Sequence, residues 1–408
     1  MSERSSAFDT LAHQPVPLWR DIRVLQLAAQ IVFTVVAVAV GLALLNNMLT
    51  ALTDAGITPN ADFLQRVAGF ELGEGPEFGR SDSFADAFRV GLTNTLRAVS
   101  IGLVLATVLG VIMGVARLST NWLVKNIARV YVDIMQNTPL LVQLYFIYLG
   151  VFLALPSLRD GPLELPGAVF LSNRGLVMPA LIPSETFSLW LLYAVVGVVT
   201  AGFLWYVRTQ HQERTGRPGH RLSFAVIAIV FFAVLGWMAV GEPPISLDLP
   251  QPELRELPSG EMTVRRINGG DTLTPEFSAL LTGLVIYTGA FIAEVVRAGI
   301  QAVPYGQVEA ARAQGLSYFQ TLQLIVLPQA LRIIIPPLGN QYLNLAKNSS
   351  LAIAIGFPDV FSVSNTISNQ SGQALTMLVL IMITYLTISL TISAVMNWVN
   401  RRMQIKER

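Results

Sequence analysis

The chain has 408 residues, 53% of them hydrophobic and 13% charged, with a formal net charge of +1. That charged fraction is about half the value expected of a soluble globular domain, so lipid must be part of the solvent. The near-neutral balance gives nucleic-acid binding no electrostatic support. The absence of cysteine excludes disulfides, thiolate metal sites, iron–sulfur clusters and cysteine nucleophiles. His13, His211 and His220 lie apart in polar segments, without the close partners that a metal site or a catalytic pair requires.

Crossing roughly 30 Å of hydrocarbon takes about 20 mostly apolar residues. In chain order, residues 24–45, 98–116, 134–155, 186–207, 222–241, 277–293 and 375–396 meet that requirement. An eighth stretch, 333–358, is long enough but contains Pro336-Pro337, Gly339 and Lys347, and is expected to be a broken span. The first run is too long for the apolar part of a cleaved leader, and is expected to stay as a span. Ahead of the second run, Phe84, Phe88, Leu92 and Leu96 recur every four residues. They predict either an interfacial amphipathic helix or an extended start to the span.

Basic and acidic connections alternate. Arg117, Lys125 and Arg129, then Arg208, Arg214, Arg217 and Arg221, then Arg401, Arg402, Lys406 and Arg408 mark one side. Asp54, Asp62, Glu71, Glu74, Glu77 and Asp82, then Glu242, Asp248, Glu253, Glu256, Glu261 and Asp271 mark the other. Because positive residues stay on the cytoplasmic side, both termini are expected in the cytoplasm, with Arg20 and Arg23 just before the first span. The loop after Ala293 is then cytoplasmic too.

That loop is unusual for a connector. Val303-Pro304-Tyr305 opens a helix, Gly315 can close it with a left-handed turn, and Ser317 with Gln320 has the spacing of a capping box for a second helix before Pro328. Small alanines beside one carboxylate make a surface that another protein can approach closely. The order Glu309-Ala310-Ala311, Gly315, Ile325-Val326-Leu327-Pro328 resembles the Glu-Ala-Ala loop of permease subunits of ATP-binding-cassette importers. The runs 91–96, 137–143, 287–299 and 347–351 are similar to the polar amino-acid permeases of that class. Many relatives carry Arg-Gly-Thr-Pro where this chain has Gln136-Asn137-Thr138-Pro139.

The resemblance implies an all-α polytopic membrane protein of about eight transmembrane helices, with a five-helix type I importer core. Residues 1–23 would be a cytoplasmic N-terminus, 24–45 an additional helix, and 46–87 a periplasmic loop. Residues 88–155 would be the first part of the core, and 156–275 an insertion with two more helices. The second part, 276–400, would include the coupling loop 303–328, and 401–408 a cytoplasmic tail. The branch it looks like is that of the general L-amino-acid and glutamate/glutamine/aspartate/asparagine permeases.

In such a subunit Glu309, Ala310, Ala311, Gly315, Leu316 and Pro328 would form the coupling surface. The implied partners are a homologous second permease, two ATPase subunits, a periplasmic amino-acid-binding protein and membrane lipid, in a bacterial inner membrane. ATP and magnesium would belong to the ATPases. None of Lys125, Lys347 and Lys406 is followed by Ser or Thr, so this chain has no P-loop of its own, and no catalytic residue, metal site or cofactor is expected in it. Candidates for the solute path are Asn94, Thr138, Gln143, Asn340, Gln341, Asn344, Lys347, Ser349 and Ser350. Lys347 would either face these polar groups or extend to the membrane surface. An ion-coupled secondary transporter is the alternative, although such proteins usually place several carboxylates or histidines deep in their spans. Glu294 and Arg297, at i,i+3, predict a local ion pair.

Overall fold

A computed structural model describes residues 22–54, 61–216, 219–256 and 262–403. His13, Arg20, Arg217, Glu261, Lys406 and Arg408 lie outside the described residues, as does the side chain of Arg23.

Helix α1 (Ile22–Asp54) is exposed at each of its residues whose side chain is described. Helix α2 (Phe84–Ala116) begins at a capping box in which Ser83 and Asp86 satisfy each other's backbone N–H groups. The Phe84 to Leu96 stripe is therefore the start of the span itself. After a turn come α3 (Trp122–Asn137), α4 (Leu140–Ile147) and a π turn, Tyr148–Phe152.

The run 134–155 is thus not one uninterrupted span. Pro139 forces Thr138 out of helical geometry, to φ −109° and ψ 128°, and α3 stops. Gln143 mends the break, its amide nitrogen donating to the carbonyls of both Met135 and Thr138 at 2.9 Å. Backbone acceptors freed by the proline are thereby satisfied inside the bundle.

The stretch expected as an insertion holds helices α5 (Phe187–Thr215) and α6 (Arg221–Val240), and also short antiparallel strands that hydropathy did not reveal. Strands β1 (Leu163–Leu165), β2 (Val169–Ser172), β3 (Gly175–Met178) and β8 (Asp271–Leu273) form one sheet in that order. β4 (Ala180–Pro183) pairs with β5 (Ile245–Asp248), and β6 (Gln251–Glu256) with β7 (Met262–Asn268). Strands of three to seven residues carry too little alternation to stand out between spans.

Helix α7 (Pro275–Gln301), capped by Thr274, is the best-buried element and packs along α2. Glycine permits that contact. A Cβ on Gly110 would come within 2.5 Å of the Ile292 side chain, and one on Gly114 within 2.7 Å of the Ala293 carbonyl. Helix α8 (Tyr305–Ala313) follows, then α9 (Tyr318–Thr321), a π segment Leu322–Val326, and α10 (Leu327–Asn348) with a 3-10 extension, Ser349–Ile355. Helices α11 (Val360–Ser371) and α12 (Ala374–Met403) complete the bundle.

Seven helices among the described residues are long and apolar enough to cross a membrane, and Leu140–Phe152 is a shorter apolar helix. The core joins two clusters. One centres on Leu144, Phe277, Leu284 and Phe357, the other on Ile292, Ala330, Ile334 and Leu345. Over the end where α2 begins, Phe63 and Ala68 of the loop before α2 pack on Phe84, Ile367 and Met377.

Candidate functional site

Among the places in this bundle that combine exposure with ordered polar groups are the segment 303–328 and a cavity between α7 and α10. In the segment, Gly315 takes φ +80° and its N–H donates to the Arg312 carbonyl, while Leu316 N–H donates to that of Ala311. Ser317 and Gln320 then form the expected reciprocal cap, at 2.9 and 3.3 Å. Glu309, Ala310 and Gly315 face outward, Leu316 is half-buried, and Ala311 is buried at 4% exposure. Ala311 thus seats α8 on the bundle and leaves the outer face to its neighbours. Tyr305, Tyr318 and Phe319 add large exposed rings beside it, at 65, 76 and 69% exposure. A cavity of about 520 Å³ runs beneath, lined by Val303, Tyr305, Val308, Arg312, Tyr318 and Thr321 among others.

Pro328 does not end this segment but sits in the first turn of α10. Its missing N–H cannot serve the Leu324 carbonyl, and the turn before it widens, with Leu327 N–H reaching the Leu322 carbonyl. Pro336 and Pro337 likewise lie inside α10, and the change of helix type comes at Ser349. Helical backbone therefore runs without interruption from Tyr318 to Asn348, roughly 45 Å at 1.5 Å per residue.

Near the far end of that rod is a cavity of about 290 Å³, lined by Tyr287, Thr288, Phe291, Gln341, Asn344 and Asn348. Its helical logic is simple, since 341, 344 and 348 share one face of α10 and 287, 288 and 291 share one face of α7. The Tyr287 and Phe291 rings lie 5.0 Å apart. Every polar group in the lining is uncharged, an amide or a hydroxyl. The space is large enough for several waters or one small organic solute. The wall is held by Tyr131, whose hydroxyl donates to the Ile286 carbonyl at 2.6 Å, and by Gln136, whose amide donates to that of Ala290 at 3.2 Å. A hydrogen bond of 2.7 Å joins Thr107 and Tyr342 nearby.

The other candidates of the solute path are spread out. Asn340 and Lys347 are exposed and do not line this cavity, and Lys347 occupies the last turn of α10, where a cation complements the helix dipole. Asn94 is buried, with its amide donating to the carbonyls of Glu74 and Pro358. Thr138 bonds the Ile134 carbonyl, Ser349 that of Ala346 and Ser350 that of Lys347. Sequence reasoning passed over Tyr287, Thr288, Phe291 and Asn348. Asn348 was within reach, four residues beyond Asn344 on the same helical face.

The two ends differ in charge. At the end nearest α8 Glu294 pairs with Arg297, as expected, and with Arg117 as well. At the opposite end, where α2 and α7 begin, Arg97 bridges Glu74 at 3.1 Å and Asp271 at 3.2 Å. Burial raises the Glu74 pKa, against the opposing pull of Thr274 and Arg97. Asp359, which caps α11 through the Ser362 N–H, is fully buried, and desolvation pushes its pKa up to about 7.

A polytopic helical bundle with a small polar cavity between spans, tied by one helix to an exposed helix–glycine–helix segment, has the architecture of a permease subunit. The chain belongs to the family of binding-protein-dependent transport system inner membrane components, whose pattern matches residues 222–405. It is 42% identical to the putative amino-acid ABC transporter permease protein YhdX of Escherichia coli over 93% of this chain and 94% of that relative. It is 42% identical to the general L-amino acid transport system permease protein AapQ of Rhizobium johnstonii over 85% of this chain and 84% of the relative. With the glutamate/glutamine/aspartate/asparagine transport system permease protein BztB of Rhodobacter capsulatus it shares 39% identity over 95% of this chain and 96% of the relative. It is a multi-pass membrane permease of an amino-acid ABC importer, and the ion-coupled alternative falls. Its relatives are permease subunits, not ATPases.

Proposed function

We propose that this subunit passes polar amino acids, among them glutamate, glutamine, aspartate and asparagine or a broader set of L-amino acids, through the cavity between α7 and α10. The observation that carries this reading is the uncharged amide and hydroxyl lining at Thr288, Gln341, Asn344 and Asn348. Such groups can meet an ammonium with oxygens and a carboxylate with N–H and O–H donors. Without a fixed charge, the lining does not reject a side chain for its sign. The names of AapQ and BztB, which cover general L-amino acids and the four acidic and amide residues, support the same breadth.

Movement reaches the cavity from the coupling segment. Glu309, Ala310, Gly315 and Leu316 form the surface that seats against an ATPase subunit, Ala311 anchors it from inside, and the rod through Pro328 carries the displacement to Gln341 and Asn344. The complete importer pairs this chain with a homologous second permease, two ATPases that hold ATP and magnesium, and a periplasmic amino-acid-binding protein. It lies in the bacterial inner membrane with both termini in the cytoplasm, a reading that the distribution of Arg and Lys supports.

Vesicles carrying the assembled complex test this directly. Uptake of labelled glutamate, glutamine, aspartate and asparagine should require ATP and persist with an ionophore present. Uptake that ignores ATP and collapses with the ion gradient would overturn it. Glu309→Lys should lower ATPase co-purification or coupled uptake roughly tenfold, the scale of one interfacial charge contact reversed. Unchanged transport would remove Glu309 from the docking surface.

A further inference from the structure

Beside the coupling segment lies another cavity, of about 530 Å³, lined by Arg117, Lys125, Arg129, Asp133, Arg297 and Gln301, with Leu118 at its edge. Solute passage and ATPase docking leave its charge without a use. Arg117 and Arg297 share Glu294, and Arg129 meets Asp133 at 3.5 Å. Lys125 has no ion pair among the described residues. Four cations therefore face two carboxylates, and the excess is positive.

Helix α3, which supplies three of these side chains, has three distinct faces. Ala128 and Val132 are buried, with Val132 packed on Ala290 and Ala293 of α7. Trp122, Lys125, Arg129 and Asp133, spaced i, i+3, i+7 and i+11, follow one edge toward the cavity. Leu123, Ile127, Val130 and Ile134 form the remaining face, each more than half exposed at 57, 58, 54 and 53%. At 16 residues α3 is not among the helices long enough to span. A basic edge, an open aliphatic face and a tryptophan 75% exposed in the first turn are the marks of a helix whose first turns lie at headgroup depth.

We propose that this cavity binds the headgroup phosphate of an anionic glycerophospholipid, with the acyl chains against the neighbouring apolar surface. A phosphodiester brings the negative charge that the guanidinium forks and the Lys125 ammonium lack. The flanking helices supply the lipid-facing wall, since the outer side of α2 is also open at Val108, Ile112 and Val115. A free anion would satisfy the cations but leave the adjoining aliphatic face unexplained. The position has a functional consequence. Leu118 and Gln301 line both this cavity and the one beneath α8, and Arg297 hydrogen-bonds Gln301 at the last turn of α7. A lipid held here steadies the residues from which the coupling segment departs.

The test uses the assembled complex, purified from nanodiscs containing equal phosphatidylglycerol and phosphatidylcholine, with retained lipid counted by native mass spectrometry. Phosphatidylglycerol should be retained preferentially. The double variant Lys125→Ala, Arg129→Gln should reduce that retention roughly twenty-five-fold, about fivefold for each cation lost near the surface. Arg401→Gln with Arg402→Gln removes the same charge from the end of α12 and should leave it unchanged. Equal loss in both pairs, or no loss in the first, overturns the site. Displacement by millimolar glycerol 3-phosphate would make it a soluble-anion site and overturn the lipid assignment. A photo-crosslinker at position 125 that captures an ATPase or the second permease, rather than lipid, would also overturn it.

Discussion

The α2–α7 pair and the α5–α6 hairpin are both held by glycine, yet they do different things. Gly110 and Gly114 bring α2 against α7, and α7 goes on to meet α3, α4 and α10 on its other sides. In the hairpin, Gly197 sits under Phe232 and Gly236 under Tyr193, and Trp190 donates to the Ala233 carbonyl at 2.9 Å. The buried residues there are only Gly197, Ala201, Ala225, Ala228 and Gly236. Its outer faces remain aliphatic and exposed. A close helix crossing therefore marks a packed pair, whereas burial on several sides marks the centre of the bundle.

Valine at position 114 should break the first pair. Its Cβ would meet the Ala293 main chain at 2.7 Å, where no side-chain rotation can relieve it, at a cost of about 3 kcal/mol. Loss of assembled complex on size exclusion is the expected outcome. Gly236→Val meets the Tyr193 Cβ at the same 2.7 Å, which no rotation moves, but a hairpin buried only along its own seam can part slightly, so about 1 kcal/mol is expected, with uptake retained. Equal damage from both would erase the distinction between the two regions.

A smaller effect sharpens the assignment of the cavity. Gln341→Ala and Asn344→Ala should each raise the KM for solute roughly fivefold, the scale of one lost hydrogen bond, with basal ATP hydrolysis unchanged. An unaltered KM would move the solute elsewhere in the bundle.

The smallest expected change concerns pH. Asp359, raised from an ordinary 3.8 to about 7 by burial, holds a proton in the folded protein that the unfolded chain releases. Its contribution is complete below about pH 4 and is lost as pH rises through about 7. Asp359→Asn keeps an oxygen to accept the Ser362 N–H and removes the titration. The melting temperature of the variant should fall less than that of the parent between pH 5 and pH 8. Identical slopes would show that Asp359 does not titrate in that range.

Much of the coupling segment was legible in the sequence because its geometry is dictated locally. Gly315 has the only side chain that suits its turn without strain, and Ser317 with Gln320 needs nothing beyond its own backbone. The inward direction of Ala311 was not legible, since it depends on how α8 meets the bundle. Asn94 and Gln143 teach a related lesson. Both are polar residues in apolar surroundings, which suggests a solute path, and both bond to backbone carbonyls. The carbonyl that Asn94 serves at Pro358 lies 264 positions away, beyond any local pattern. Pro336-Pro337 suggested a break that α10 does not contain, whereas Thr138-Pro139 does divide α3 from α4. The second has Gln143 to complete the freed backbone, and the choice between the two outcomes was tertiary.

The widened turn at Leu322–Val326 governs which changes of length this chain can accept. A π turn closes each hydrogen-bonded ring around one more residue than an α turn. Removing one residue there can restore ordinary winding while leaving the helices on either side facing as before. The same deletion within α10 would swing everything beyond it by about 100° per residue, turning Gln341 and Asn344 away from Tyr287. Natural variation in rod length should therefore collect at Leu322–Val326, and the stretch from Gln329 to Gln341 should be constant in length wherever this cavity is retained.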